Sequence, residues 1–218
     1  MHITLTALAA ALIGGALGLW QRHAAARLTY RLDTEADLPS PGRRTWIAWT
    51  AAIAFAGLGA WAAATGSWPL LPAILPLAAV GPLLAAIDLD VQRLPNRILA
   101  PIAGLTMAGA ASTLITLDGP TSAISAAAGG LAAGTIFALL HLISHGGIGF
   151  GDVKLAAVIG TAVGSVSLSG LLWAILLACL GAGVWAVVTH QRGPFPFGPW
   201  LLSGAWLGVL TTLSAAWQ

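Results

Sequence analysis

The sequence has 218 residues, of which 58% are hydrophobic and only 7% are charged, and its net charge is +2. A soluble globular domain is usually about a quarter charged, so this composition excludes a water-soluble body and predicts a surface that faces the lipid bilayer. The small net charge gives no argument for a nucleic-acid partner. We therefore predict an all-α integral membrane protein with a single membrane domain over 1–218.

Eight apolar segments follow one another along the chain. Because a spanning helix needs roughly 20 apolar residues, they predict about eight transmembrane helices joined by short loops. The segment 69–87 contains four prolines and is expected to be kinked or irregular. Positive charge follows the first segment and does not precede it, so we expect a retained span and not a cleaved signal. The predicted spans are 3–20, 46–65, 69–87, 98–117, 121–143, 153–168, 170–189 and 199–216.

The basic residues give the expected orientation. If the N-terminus lies outside and the spans alternate, the inside segments are 21–45, 88–97, 144–152 and 190–198. All the arginines fall in these segments, and Lys154, the only lysine, falls just past one of them. Because positive charge is retained in cytoplasmic loops, this pattern predicts that both termini lie outside and that 21–45 is a cytoplasmic loop.

Two aspartates stand at predicted membrane edges. Asp88 ends the third span and Asp152 begins the sixth, so two spans separate them and both should face the same side. A carboxylate at this depth is costly unless it serves a site or a pathway, although each side chain could simply reach water at a helix end. Asp90 is the alternative to Asp88 and is expected to be solvated. The acids of the 21–45 loop are expected to be solvated as well.

Each aspartate lies in a distinctive local sequence. Pro95 fixes a turn between Asp88 and the next span. Four of the six residues 146–151 are glycine. Glycine disfavours a continuous helix, so we expect open backbone that lines a cavity and gives water and an extended substrate access to Asp152.

These motifs carry a family resemblance. Gly149-Phe150-Gly151-Asp152 matches the GxGD signature of membrane aspartyl proteases. With Lys154 two positions later and Asp88 seven residues before Pro95-Asn96, the chain resembles the bacterial type IV prepilin peptidases, and the segment 196–199 (Pro-Phe-Gly-Pro) agrees with that family. The resemblance covers 46–216, the expected peptidase core. It implies a catalytic pair, Asp88 and Asp152, and the supporting residues Gly149, Gly151, Lys154, Pro95 and Asn96.

The resemblance implies an aspartic endopeptidase that cuts the short basic leader from a type IV prepilin or pseudopilin at the cytoplasmic face of the inner membrane. Two close carboxylates cannot both ionise cheaply, so the pair would hold one proton, with one partner as general base and the other as general acid. No metal or cofactor is needed. Longer members carry a zinc-binding cysteine motif in the first cytoplasmic loop, associated with N-methylation. The 21–45 loop has no cysteine, so we expect a peptidase without that second activity.

The other candidate sites are weaker. His141 and His145 lie one helical turn apart, but neither a cysteine nor a carboxylate other than Asp152 completes a metal site nearby. Cys179 lies in an apolar run and is predicted to be a buried, inert thiol. A proton- or ion-coupled transporter is the alternative function, since membrane carboxylates and proline-broken spans also mark ion pathways. A structural assembly subunit is a third possibility, and a signal-peptide or presenilin-like specificity a fourth.

Overall fold

The computed structural model describes residues 1–144, 147–190 and 195–213. Within these ranges the chain forms eight α-helices and short 3₁₀ turns, among them Asp33–Glu35 and Trp68–Leu70, and it contains no strand. The predicted all-α fold is confirmed. The helices are α1 His2–Ala26, α2 Trp46–Thr65, α3 Leu71–Val91, α4 Asn96–Thr116, α5 Thr121–Ile143, α6 Phe150–Gly164, α7 Leu168–Val188 and α8 Gly198–Leu210.

Six of these helices are long and apolar enough to cross a membrane: α1, α2, α3 together with the turn before it, α4, α5 and α7. The other two are shorter, with 15 residues in α6 and 13 in α8. A straight helix needs roughly 20 residues to cross a hydrocarbon core of about 30 Å. The order of eight helices agrees with the sequence prediction, whereas the count of eight spans and the position of the termini remain predictions.

Several helix boundaries differ from those predicted, and two of the differences, at the end of α1 and the start of α6, affect the site. Helix α1 continues to Ala26 and so takes in the first part of the predicted 21–45 loop. Helix α6 begins at Phe150, with Gly149 as its extended N-cap residue. Gly151 therefore lies inside a helix, and the expectation of open backbone up to Asp152 is wrong. The glycine is tolerated there because the first helical turn needs few of its own backbone hydrogen bonds.

The proline-rich third segment is more regular than predicted. Its irregular part is confined to the 3₁₀ turn that contains Pro69, and α3 then runs without a break through Pro76 and Pro82. Proline inside a helix removes the donor to the carbonyl four residues earlier, which for Pro82 is that of Ala78. Three residues before Pro82, the carbonyl of Ala79 accepts a hydrogen bond of 2.7 Å from the buried side-chain amide of Gln21 on α1. The neighbouring helix α1 thus supplies a hydrogen-bond donor to the turn that Pro82 disturbs. Such donors are what allow proline within a membrane helix.

Small residues bring the helices into close contact. A Cβ atom added to Gly129 on α5 would lie 2.4 Å from the carbonyl oxygen of Gly160 on α6. A Cβ atom added to Gly204 on α8 would lie 2.2 Å from the carbonyl oxygen of Ala174 on α7. Such backbone-to-backbone approach is typical of helix pairs in membranes, and here it joins α5 to α6 and α7 to α8.

The prediction of a buried cysteine is wrong. Cys179 is exposed on the outer face of α7. The inward face of that helix is made by Ala174, Ala178 and Ala182, which recur every four residues and are all buried. Cys179 follows Ala178 directly and therefore points about 100° away from this face. In an apolar helix the inward and outward faces have similar composition, so hydrophobicity did not distinguish them.

Candidate active site

Asp88 lies in the last turn of α3 and is 3% exposed. Its Oδ2 accepts a hydrogen bond of 2.9 Å from the backbone N–H of Gly198, the first residue of α8. A Cβ atom at position 198 would lie 2.9 Å from the same Oδ2. Glycine is therefore required if the backbone is to approach the carboxylate this closely. The segment 196–199 entered the sequence argument only as part of the resemblance, and Gly198 is the residue in it that the prediction of the site missed.

Asp152 lies in the first turn of α6 and is 7% exposed. Its backbone N–H donates to the carbonyl of Gly149 over 3.0 Å. The start of a helix carries partial positive charge from its unpaired N–H groups, which favours a carboxylate there. A Cβ atom at Gly149 would lie 3.2 Å from Asp152 Oδ2, so this glycine also leaves room for the carboxylate.

The turn after α3 brings the two helix ends together. Leu94 packs on the first turn of α6, where a Cβ atom at Gly151 would lie 3.1 Å from Leu94 Cβ. Pro95, with φ of −64°, is the N-cap residue of α4. Asn96 accepts a hydrogen bond of 2.8 Å from Lys154 Nζ. The supporting residues predicted around both aspartates thus meet in a single cluster.

Both carboxylates lie at the same end of the bundle, as the parity of the spans predicted. Leu94, in the turn after α3, contacts the first turn of α6, so the two helix ends that carry the carboxylates lie side by side. Among the described residues no ion pair includes either of them. Two neighbouring buried carboxylates that lack a counter-charge cannot both ionise cheaply. This arrangement can supply one general base and one general acid.

Lys154 does not orient Asp152 directly. Its ammonium group bonds to Asn96 and lies 4.7 Å from the centre of the Phe150 ring. His141 shares a hydrogen bond of 2.6 Å, through Nδ1, with the carbonyl of Ile148, just before the GxGD sequence. The sequence paired His141 with His145 in the weaker metal-site alternative, and His145 lies outside the described residues. Arg192, in the last predicted inside segment, lies outside them as well.

Asp90 is not solvated, which corrects the sequence prediction. Its side chain is 6% exposed and forms ion pairs with Arg31 and Arg44, at 2.8 and 3.4 Å. It also accepts a hydrogen bond from the hydroxyl of Tyr30. Because two guanidinium groups and a phenol occupy its carboxylate, Asp90 is a poor candidate for proton transfer. No helical or strand pattern links positions 30, 31 and 44 to 90, so the sequence carried no signal for this cluster.

Glu35 also departs from the solvated loop that was predicted. Arg93 donates from Nε and Nη2 to its two carboxylate oxygens, each over 2.8 Å. This paired hydrogen bond lowers the pKa of Glu35 from 4.5 to about 2. The predicted cytoplasmic loop is thus attached by ion pairs to the residues that follow Asp88.

An apolar groove of about 460 Å³ runs along α3 as far as Leu89, the residue after Asp88, although Asp88 itself does not line it. It lies between α2, α3 and α8, and its walls include Ala85 and Leu89 on α3 and Pro199 next to Gly198. The groove therefore ends at the two helices that position the Asp88 carboxylate. Its width comes from small side chains on α3, among them Ala78 and Gly81.

A comparison with known families bears on the identity of this site. The model of the type IV leader peptidase family matches residues 74–187, just over half of the chain, and this range contains both aspartates. The chain belongs to the type IV leader peptidase family. The predicted resemblance is confirmed, and the transporter alternative finds no support. No solved structure matches the chain.

Curated relatives support the same family assignment. A prepilin leader peptidase/N-methyltransferase of Bacillus subtilis is 36% identical over 132 residues, which is 59% of this chain and 51% of the relative. Proteins of the same name from Dickeya chrysanthemi and Aeromonas hydrophila are 32% and 31% identical, over 62% and 66% of this chain and 49% and 50% of their own length. The chain spans about half the length of the curated relatives it matches.

Proposed function

We propose that this chain is an aspartic endopeptidase of the inner membrane, which removes the short basic leader from type IV prepilin or pseudopilin substrates at the cytoplasmic face. The observation that carries the proposal is the pair of buried carboxylates, Asp88 and Asp152, which lie at one end of the bundle and have no ion-pair partner among the described residues. Membership of the leader peptidase family supports the substrate class. We propose no methyl transfer, since the 21–45 loop contains no cysteine.

The proposed mechanism uses the pair as a unit. The ionised carboxylate takes a proton from a water molecule, which attacks the carbonyl carbon of the scissile peptide bond. The protonated carboxylate donates a hydrogen bond to the carbonyl oxygen and its proton later passes to the leaving amine. The N–H of Gly198 stabilises the Asp88 carboxylate whenever it is ionised. We assign the roles of general base and general acid to the pair as a whole, because two coupled carboxylates titrate together.

The groove beside Asp88 offers a place for the rest of the substrate. A prepilin leader is followed by an apolar helix, and the groove presents an apolar wall of matching chemistry that ends at Ala85 and Leu89, within one turn of Asp88. A helix seated there would bring the peptide bond before it to the level of the carboxylates. The groove opens to the outer surface of the bundle, so a substrate could enter it sideways from the bilayer.

Incubation of the purified chain in lipid vesicles with a synthetic prepilin tests the proposal. Mass spectrometry should find a new N-terminus at the end of the basic leader. Asp88→Asn and Asp152→Asn should each lower the cleavage rate on the order of 10²–10⁴-fold, the usual contribution of general acid–base catalysis. Asp118→Asn is the matched control, because Asp118 is exposed in the turn before α5.

A photoreactive side chain provides an independent check of the groove. Placed at Ser203, which lines the groove, it should crosslink to the substrate helix, whereas the same group at Leu172, exposed on α7, should not. Undiminished cleavage by either folded aspartate variant would refute the catalytic pair. Equal crosslinking at both positions would remove the groove from the proposal but leave the peptidase.

A further inference from the structure

The segment 28–45 is attached to the end of α3 by charged side chains. We call this set of contacts the loop clamp. It consists of hydrogen bonds and ion pairs that join the loop to Asp90 at the end of α3, to Arg93 in the following turn and to Arg97 at the start of α4. Its members on the loop side are Thr29, Tyr30, Arg31, Glu35 and Arg44.

The inner half of the loop clamp is buried. Arg31 donates to Asp90 from Nε over 2.9 Å and from Nη2 over 2.8 Å, a planar two-bond contact that fixes direction as well as distance. The guanidinium of Arg31 also donates to the carbonyls of Leu38 and Pro39, so the loop is folded around it. Arg44 donates to the hydroxyl of Tyr30 over 2.8 Å and closes the cluster.

The outer half of the loop clamp holds the turn after α3. Besides Glu35, Arg93 donates to the carbonyl of Tyr30 over 2.8 Å. Arg97, at the start of α4, donates to the carbonyl of Thr29. The loop therefore contacts the end of α3, the turn and the start of α4, and it fixes these three parts relative to one another.

The segment that the loop clamp holds is the one that joins the two aspartates. Asp90 lies two residues after Asp88, and the turn carries Leu94, which packs on Gly151, and Asn96, which bonds to Lys154. A shift of this turn would therefore move the first turn of α6 relative to α3. A buried ion pair is a weak device for stability, because desolvation cancels much of its attraction, and its best-attested use is to fix one arrangement among several.

We propose that the loop clamp sets the position of Asp88 relative to Asp152, with Asp90 as its central positioning residue. This inference rests on the proposed function. Asp90 touches neither substrate nor water in the reaction; it acts through the helix end that it shares with Asp88. The loop that encloses the clamp is thus part of the machinery that aligns the carboxylates, although it contributes no reacting group.

The test measures kcat and KM for prepilin cleavage by Asp90→Asn and Asp90→Glu, with Asp37→Asn as the control acid exposed in the same loop. Misalignment of reacting groups by about 1 Å can cost on the order of 10²-fold, so Asp90→Asn should lower kcat by about 10- to 100-fold and leave KM nearly unchanged. Asp90→Glu keeps the charge and should recover part of the loss. A wild-type kcat in folded Asp90→Asn overturns the proposal.

Two further variants separate alignment from general destabilisation. Leu171→Ala removes a buried side chain on α7, away from the loop clamp, and should lower thermal stability but not kcat of the folded protein. An equal loss of kcat in Leu171→Ala would overturn the proposal. If Asp90→Asn does not fold, Arg93→Gln serves instead, because the Arg93–Glu35 pair is partly exposed. It should lower kcat by about 3- to 10-fold through the same misalignment, and an unchanged kcat would count against the clamp.

The same experiments distinguish this inference from the proposed function. If the wild-type chain cuts no prepilin, or if Asp88→Asn cuts normally, the peptidase itself is refuted. If the wild type is active and Asp88→Asn is not, but Asp90→Asn and Arg93→Gln keep full kcat, only the role of the loop clamp is refuted.

Discussion

Asp88 and Asp90 lie two residues apart on α3, and both side chains are almost fully buried, yet their surroundings are opposite. Asp88 receives one backbone N–H, from Gly198, and no cation pairs with it among the described residues. Asp90 is surrounded by Arg31, Arg44 and Tyr30. Burial by itself therefore does not indicate what a membrane carboxylate does. The absence or presence of a counter-charge separates a carboxylate able to exchange protons from one held as a permanent anion.

The largest expected effect concerns stability and sharpens this comparison. Asp90→Asn leaves the guanidinium groups of Arg31 and Arg44 without their anion, so this variant should melt well below the wild type. Asp88→Asn removes a carboxylate that has no cationic partner, so the free energy of unfolding should change by less than about 1 kcal/mol. Thermal unfolding in detergent, followed by circular dichroism, measures both. The comparison fails if the two variants are equally destabilised.

The next effect tests the one donor that Asp88 receives. Gly198→Ala places a methyl group 2.9 Å from Asp88 Oδ2 and forces the carboxylate or the start of α8 to move. Loss of a positioned hydrogen bond and displacement of a reacting group should lower kcat by about 10- to 100-fold. Gly183→Ala, on α7 where a Cβ atom meets open space, is the matched control. Equal activity of the two variants would show that the Gly198 contact is dispensable.

The smallest effect lies at the outer edge of the loop clamp. The pKa of Glu35 is lowered from 4.5 to about 2 by Arg93, so the pair stabilises the fold fully above about pH 4.5 and this stabilisation is lost as the pH falls towards 2. Because the pair is partly exposed, it should contribute less than about 1 kcal/mol. Glu35→Gln should therefore melt slightly below the wild type at neutral pH.

The same variant should approach the wild-type melting temperature near pH 3, where the wild-type carboxylate begins to take up its proton. A Glu35→Gln protein that stays equally destabilised from neutral to acid pH would show that the carboxylate acts by packing and not by charge.

Much of the molecule was predictable because its signals are local. A membrane helix satisfies its own backbone hydrogen bonds, so runs of apolar residues marked the eight helices to within a few residues at most ends. Pro95 marked the start of α4. The even number of spans between Asp88 and Asp152 predicted that both lie at the same end of the bundle. The boundary error at α6 arose at Phe150 and Gly151, where glycine content suggested open backbone.

The other three errors share one cause. Cys179, Asp90 and Glu35 were assigned to the core or to solvent from the character of their own neighbours in sequence. Each assignment depends on a partner far along the chain: the inward alanines of α7 for Cys179, Arg31 and Arg44 for Asp90, and Arg93 for Glu35. In an apolar bundle the outward face is as hydrophobic as the core, and a charged loop looks solvated until its partner is known.

The sequence alone determined that the chain is an all-α membrane protein. It also identified the GxGD sequence and the two carboxylates that the proposed function needs. Both were accessible because composition and short motifs are properties of neighbouring residues. Only the tertiary structure decided that Gly198 donates to Asp88, that Leu94 lies on Gly151, and that Asp90 is bound by the loop. These contacts join residues tens of positions apart, and which of them form depends on how closely packed helices fit together, which no local pattern specifies.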